Sequence, residues 1–284
     1  MAYISVDYSV VNLFILAHKR YPNKINLVSE SNNSMQEPIK IDVIFLSYSK
    51  NEYLKNLTAQ SIDTLIKSEN SEKIQFNIIV IESNKAQASY QFENSRTIYP
   101  EEKFGFHKYL NIGIKATSNS YICLCNNDLI FHKGWASAIL SEMQKDKSIL
   151  SVSPFCPVTH TRSGFIKDSG LIEGYETLFS GWCFFVKRSI FEIIGLLDEK
   201  FIFWYADHDY LRTLQKFGVK NYLHTSSFVT HISSATTVEM DAKTRKKITL
   251  LPVLYLNYKY GRNNYLIYAI KYIYFYFRIK FNLI

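Results

Sequence analysis

Apolar residues in this chain come in short unbroken runs that stop at clusters of small polar residues, and the runs alternate with stretches of helical spacing. Ile41-Asp-Val-Ile-Phe-Leu-Ser47 is the first run, and Glu52 to Ser68 follows with Leu54, Leu57, Ile62 and Leu65 on one helical face. Phe76-Asn-Ile-Ile-Val-Ile-Glu82 is a second buried-type strand that stops at Glu-Ser-Asn. A third unit has a strand near Arg96 to Tyr99, a helix around Lys108 to Ala116, and the strand Tyr121-Ile-Cys-Leu-Cys125 running into Asn126-Asn-Asp128. Unbroken apolar strands alternating with helices predict an α/β domain with a mostly parallel sheet covered on both faces. In such sheets the loops after the strand C-termini line the ligand crevice. Ser47 to Asn51, Glu82 to Lys85 and Asn126 to Asp128 are therefore predicted to face one cleft.

Further along, Trp135 to Met143 reads as helix, Ser151 to Gly174 as loop-rich, and Gly181 to Val186 as a strand. Ser189 to Gly195 and Asp207 to Phe217 read as helices, each with a glycine in the helix-ending position. There is no internal repeat. The chain divides into an N-terminal extension, residues 1–40, whose last part is a polar linker; a main domain, residues 41–261; and a tail, residues 262–284. In the tail, Asn264 to Ile284 is dense in Tyr, Ile and Phe and is interrupted by Lys271, Arg278 and Lys280.

Composition narrows the class. At 284 residues, with 47% hydrophobic and 20% charged side chains, the chain can bury one sizeable core, which excludes wholesale disorder. Its 21 Tyr and 20 Phe mean that many rings must be placed, and rings serve cores, sugar faces and membrane interfaces equally well. A net charge of +8 favours an anionic partner: a nucleotide diphosphate, an anionic lipid surface or a nucleic acid. Cys123, Cys125, Cys156 and Cys183 form no CxxC pair, so neither a zinc knuckle nor a disulfide framework is expected and a reducing compartment is. No signal-peptide pattern and no uncharged run of about 18 residues appears, which points to the cytoplasm, with the inner face of the membrane as an alternative. The phosphate loop G-x-x-x-x-G-K-[ST], the dinucleotide fingerprint G-x-G-x-x-G and the hydrolase elbow G-x-S-x-G are all missing.

Two stretches can carry chemistry. Asn126-Asn-Asp128 puts a carboxylate at the floor of the crevice, where Mg²⁺ or Mn²⁺ would take oxygen ligands from one or two carboxylates and from phosphates. Asp128 could equally end a strand and cap a turn. Phe201-Ile-Phe-Trp-Tyr-Ala-Asp-His-Asp-Tyr210 places Asp207 and Asp209 at the start of a helix, where the dipole favours ionised acids. One acid can cap the helix while the other serves as a general base toward a hydroxyl. His231 is a candidate metal or phosphate ligand, although a lone histidine is more often structural.

Taken in order, these pieces resemble the family-2 glycosyltransferases with the GT-A fold, over about Ile41 to Gly261. The resemblance implies a Rossmann-like sheet flanked by helices and a nucleotide-sugar donor contacted by Ser47, Tyr48, Ser49 and Glu52 of the first loop. It adds Glu82 and Asn84 of the second loop, Lys103, Gly105 and Asn111 of the segment leading to the metal motif, and Gly181 and Trp182 before the acceptor-side strand. Asn126-Asn127-Asp128 stands where the family has Asp-x-Asp, with Asp128 matching its second acid. Ala206-Asp-His-Asp209 is similar to the Glu-Asp-x-Asp signature, which makes Asp207 the implied base with Asp209 in support, and His231 matches a histidine that completes the metal or diphosphate site. Asn126 and Ala206 depart from the family pattern, so a divalent cation would rest on Asp128, His231 and phosphate oxygens.

The resemblance implies an inverting transfer from a nucleotide-diphosphate sugar, a UDP-sugar as the first expectation, to a cell-surface glycan or lipid-linked oligosaccharide. Transfer to hydroxymethylated DNA bases is the alternative that net charge allows, although no Arg/Lys stripe is evident. An inactive sugar- or nucleotide-binding protein is the alternative from another class. For the tail, peripheral membrane contact, packing on the body or on a second subunit of an oligomer, and disorder all stand open.

Overall fold

A computed structural model of the chain describes residues 37–175, 178–232, 242–281 and 283. Apart from residues 37–40, the N-terminal extension lies outside the described residues.

Strands β1 (Ile39–Ser47) and β2 (Ile74–Glu82) pair in parallel, with Ile41 opposite Phe76 and Ser47 opposite Glu82. On the two sides of this pair lie β4 (Tyr121–Asn126), parallel to β1, and β3 (Ser95–Ile98), parallel to β2. Helix α1 (Glu52–Lys67) joins β1 to β2, and α2 (Phe106–Lys115) leads from β3 to β4. Alternate β1 side chains point to opposite faces, as a strand requires. Ile41, Val43 and Phe45 share a core with Ile62 and Leu65 of α1, whereas Ile44 and Leu46 share one with Tyr109, Leu110 and Ile114 of α2. Burial on both faces is why the strands read as unbroken apolar runs. Helix α2 lies so close to β1 that a Cβ on Gly113 would stand 2.4 Å from Ile44 Cγ2, so only glycine fits there.

Beyond β4 the sheet changes direction. The segment after β4 supplies β5 (Leu129–Phe131), α3 (Trp135–Lys145) and β6 (Ser151–Phe155), then the short α4 (Thr159–Arg162), β7 (Leu171–Glu173) and β8 (Cys183–Lys187). After these come α5 (Ile190–Ile194), α6 (Ala206–Lys216), β9 (Asn221–His231), α7 (Ala242–Lys259) and α8 (Tyr265–Lys280). The strand order is β3-β2-β1-β4-β8-β6-β9-β5, with β7 also on β9. Strand β8 is antiparallel to both β4 and β6, β9 is parallel to β6, and β5 and β7 are antiparallel to β9. The parallel arrangement expected from sequence therefore holds from β3 to β4 and gives way to a mixed half. Apolar runs report burial and say nothing of strand direction.

The stretch Ser151 to Gly174, read from sequence as loop-rich, contains the fully buried β6 as well as β7. Serines and a proline disguised β6. Ser151 Oγ lies 2.9 Å from Tyr210 Oη and donates to Asn221 Oδ1 at 2.9 Å, and Ser153 Oγ accepts from Ser180 N at 3.1 Å, so the polar groups are satisfied inside the core. Pro154 sits at the register shift against β9, where a missing N–H is tolerated.

At the end of the sheet opposite the predicted crevice, fully buried Asp42 of β1 gathers four donors. Asn77 Nδ2 approaches at 2.6 Å, Asn119 N at 2.8 Å, Asn119 Nδ2 at 2.7 Å and Arg188 Nη2 at 2.8 Å. Arg188 also donates to the Asn119 and Ile114 carbonyls. One carboxylate thus ties β1, β2, the α2–β4 connection and the end of β8. Asp42→Ala strands the partly buried guanidinium, and we expect a loss of about 3 kcal/mol, at the low end for a broken buried pair because Arg188 keeps its carbonyl partners. Urea unfolding checks this, and a change within about 0.5 kcal/mol, the level of an ordinary surface substitution, would contradict it.

Candidate functional site

Ser47 and Glu82 end their strands side by side. The Glu82 carboxylate is fully buried, and its Oε1 accepts from Ser49 N at 3.0 Å and Asn84 N at 2.8 Å. Asn84 Nδ2 in turn donates to the Ser49 carbonyl at 2.8 Å. Ser47 Oγ meets Ser49 Oγ at 3.2 Å and Thr58 Oγ1 at 3.0 Å, and the Tyr90 hydroxyl bonds Ser49 Oγ and lies 3.4 Å from Ser47 Oγ. Glu82 and Ser49 are consequently absorbed in fixing the two loops against each other. Tyr48 and Glu52 remain on the surface, Glu52 in the first turn of α1, where a negative charge complements the helix dipole.

At the end of β4, Asn127 Nδ2 donates to Thr58 Oγ1 at 2.8 Å and its carbonyl accepts from Ser61 Oγ at 2.8 Å, so α1 fixes this turn. Asn126 is half-buried beside it. The β5–β9 ladder pairs Leu129 with His231 and so carries the histidine to the Asp128 side chain. Their Nε2 and Oδ1 atoms lie 3.1 Å apart but out of hydrogen-bond alignment, and both are buried without a hydrogen-bond partner. Buried polar atoms are seldom left so. Neighbouring ligands on a six-coordinate Mg²⁺, with bonds of about 2.1 Å, would stand about 3.0 Å apart. The pair therefore fits a divalent cation that takes one oxygen and one nitrogen from this chain. Among the described residues no group of three or more His, Cys, Asp or Glu could hold a metal ion, so the remaining ligands would be phosphate oxygens and water.

Trp182 stacks flat on His231, with ring centroids 5.3 Å apart and planes 8° from parallel, and so fixes the imidazole's orientation. It lies there because Asn126 N donates to the Trp182 carbonyl at 2.8 Å, extending the β4–β8 pairing by one bond. The preceding residue, Gly181, faces α6: a Cβ on it would fall 2.8 Å from Asp207 Cβ. Two adjacent residues before β8 thus touch both chemical centres, Trp182 through His231 on the Asp128 side and Gly181 directly at Asp207. The stretches that sequence singled out converge there.

Helix α6 begins after Tyr205, which adopts a left-handed φ of 66° although it is not glycine. Such strain persists where surrounding contacts enforce it. Asp207, in the first turn, has a half-exposed side chain, and its Oδ1 accepts from His208 N at 2.8 Å and lies 3.0 Å from His208 Nδ1. Desolvation raises its pKa, but hydrogen bonds and charge from His208 outweigh that effect and hold the carboxyl below its ordinary value. The group is therefore ionised at neutral pH, with Oδ2 on the Gly181 side.

Asp209 turns the other way. Its buried carboxylate takes Lys259 Nζ at 2.7 Å and Tyr260 Oη at 2.8 Å, with His107 Nδ1 4.0 Å off. Burial raises its pKa against the pull of Lys259 and Tyr260, while burial lowers that of His107 to about 4, so Lys259 supplies the positive charge. Asp209 anchors α6 to α7. Asn111 is likewise occupied: it donates to the Leu197 carbonyl at 2.8 Å and accepts from Leu197 N at 3.1 Å, clamping the segment before α6. Gly105 precedes α2 as its N-cap, and Lys103 is exposed nearby. Tyr90, Thr58, Ser61, His208 and Lys259 all shape the site and escaped the sequence reading, because each acts through a contact to a residue that motif spacing does not relate to it.

The family model described as glycosyl transferase family 2 matches residues 44–193. Among solved structures, GalNAc-T7 crystallised with UDP, GalNAc and Mn²⁺ is similar at 12% identity and a TM-score of 0.55, covering 75% of this chain and 47% of that one. The mannosyltransferase PcManGT from Pyrobaculum calidifontis, in complex with GDP-Man and Mn²⁺, is 12% identical with a TM-score of 0.53, over 81% of this chain and 66% of that one. Residues 1–349 of S. aureus TarS give 12% identity and a TM-score of 0.52, over 80% and 74%. The chain thus spans about half of the first of these and just under two thirds of the second. No curated protein matches the sequence.

The depressed Asp207 value has a definite pH consequence. A carboxyl whose folded pKa lies below its unfolded one adds stability that is present above the unfolded value and lost as pH falls through the folded one. Removing the imidazole in His208→Ala should raise the Asp207 pKa. Carboxyl NMR titration reads this directly, and an unmoved or lowered midpoint would contradict the role of His208.

Proposed function

The chain belongs to glycosyl transferase family 2, and we propose that it acts as a glycosyltransferase. From that premise we propose that it transfers the sugar of a nucleotide-diphosphate donor, a UDP-sugar, to a hydroxyl of a cell-surface glycan or lipid-linked oligosaccharide, with inversion at the anomeric carbon. What supports this most is the junction at Gly181-Trp182, where the orphaned Asp128–His231 pair and ionised Asp207 border the same two residues. An inverting displacement needs a leaving-group site and a base, contributed by groups on opposite sides of the reacting carbon.

In this reading, Asp207 accepts the proton of the acceptor hydroxyl while that oxygen bonds to the anomeric carbon, and the bond to the diphosphate breaks with its electron pair leaving on phosphate. Asp128 and His231 would hold a divalent cation, Mn²⁺ or Mg²⁺, which when bound offsets negative charge on the leaving diphosphate. The exposed Tyr48 and the rigid frame of Ser47, Ser49, Glu82 and Asn84 receive the nucleoside. Trp204, 43% exposed and three residues before Asp207, offers an aromatic face to the acceptor. Structures similar in fold hold UDP or GDP-Man together with Mn²⁺, which agrees with a nucleotide sugar and a cation.

Asp207→Asn should fold as the parent does and lose about a hundredfold or more in turnover, the usual worth of a general base. Unchanged turnover would remove the base assignment. In thermal-shift titrations Mn²⁺ should stabilise the parent in the presence of UDP, and Asp128→Asn or His231→Ala should abolish that increment. A full Mn²⁺ response in both variants would place the cation elsewhere.

A further inference from the structure

Helix α8 is apolar on two opposite faces, and the described residues cover one of them. Tyr268, Tyr272, Phe275 and Ile279 pack on Leu250, Leu251 and Leu254 of α7. Offset from these by two residues, or about 200° around the helix, Leu266, Ile270, Ile273 and Phe277 repeat the same spacing. This second stripe is bare: Leu266 is 67%, Ile270 59%, Ile273 55% and Phe277 50% exposed, with Tyr274 and Phe281 beside it. A helix that served only to pack on α7 would carry polar residues there.

Charge identifies the occupant. Residues 242–284 hold nine of the chain's 33 Lys and Arg and none of its 25 Asp and Glu, so the other 241 residues carry 24 basic against 25 acidic side chains. The whole positive excess lies in α7, α8 and their flanks. On α8, Lys280 is exposed at the edge of the apolar stripe and Lys271 is exposed on the flank, about 130° round the helix from the stripe's centre, each with a stem long enough to reach toward phosphate. A second copy of the chain would set the same concentrated positive charge against itself, and a nucleic acid would leave four large aliphatic and aromatic side chains in water. A surface with an apolar interior under anionic headgroups satisfies both features. With 16 residues, α8 is about 24 Å long, short of a hydrocarbon core of about 30 Å. Among the described residues no helix is long and apolar enough to cross a membrane.

We infer that the Leu266–Ile270–Ile273–Phe277 face of α8 docks flat on an anionic lipid bilayer, with Lys271 and Lys280 at the headgroups. Helix α7 links this face to the transfer site, since its Leu250, Leu251 and Leu254 carry α8 while its Lys259 and Tyr260 hold Asp209 of α6. The inference stands apart from the transfer chemistry, because docking needs neither donor nor acceptor.

The test is co-sedimentation of the full chain with vesicles of phosphatidylcholine containing phosphatidylglycerol and with vesicles of phosphatidylcholine alone. The parent should bind the anionic vesicles at least about tenfold more tightly than the neutral ones, and raised salt should weaken that binding. Ile270→Glu combined with Phe277→Glu should lower anionic-vesicle binding by at least about tenfold with circular dichroism unchanged, since both side chains point away from α7. Should that variant lose its fold, Lys271→Gln combined with Lys280→Gln decides by the same drop. Equal pelleting of parent and folded variant overturns the inference, as does failure of the parent to pellet. So does a dimer in light scattering that the Glu variant dissociates, or duplex-DNA binding that the same variant abolishes.

Discussion

The bond from Asn126 N to the Trp182 carbonyl, one step past the β4–β8 ladder, is the constraint on which the site depends. Because β8 runs antiparallel to β4, it begins where β4 ends, and the residues just before it are delivered to the crevice. Gly181 then abuts Asp207 and Trp182 lies flat on His231. Had β8 run parallel to β4, its start would lie at the opposite end of the sheet, beside Asp42, and the two chemical centres would share no neighbour.

Around that junction the polar groups divide into those bonded on nearly every side and those left with open atoms. Glu82, Asn111 and Asp209 are polar, buried and bonded on nearly every side, and their effect is to fix loops and helix ends. Asp128, His231 and Asp207 are the contrast: the first two have buried atoms without hydrogen-bond partners, and the third has a half-exposed side chain. A buried polar group left unsatisfied costs free energy, so its retention beside a crevice marks a place where a ligand completes the set. The same division runs through the acids of α6. Two positions along the helix turn Asp209 about 200° from Asp207, into the arms of Lys259.

The C-terminal helices extend this logic outward. Helix α7 is amphiphilic in an unusual sense, with Leu256 against the Phe201–Ala206 segment and Leu250, Leu251 and Leu254 against α8. It is both the lid of the Asp209 ion pair and the seat of the basic, aromatic α8. On the proposed reading, with Asp207 as base and the acceptor on a lipid surface, a single helix shared by the two would fix the distance between them.

The α/β alternation, the three polar loops and the carboxylates at 128 and 207 could be read from the sequence, since each is a local pattern: buried strands are unbroken apolar runs, and acids in a first helical turn follow from spacing. Strand β6 could not, because Ser151, Ser153 and Pro154 look like loop until Tyr210, Asn221 and Ser180 arrive to satisfy them. Strand direction beyond β4 was equally hidden, as burial has no sign. The sequence by itself determined which side chains could do chemistry and that they would stand at strand and helix ends. Only the tertiary structure decided which of them meet: it carried His231 to Asp128 through the β5–β9 pairing and gave Asp207 to the crevice and Asp209 to Lys259. Hydrogen-bond register and helix rotation act between segments far apart in the chain, and no local pattern encodes them.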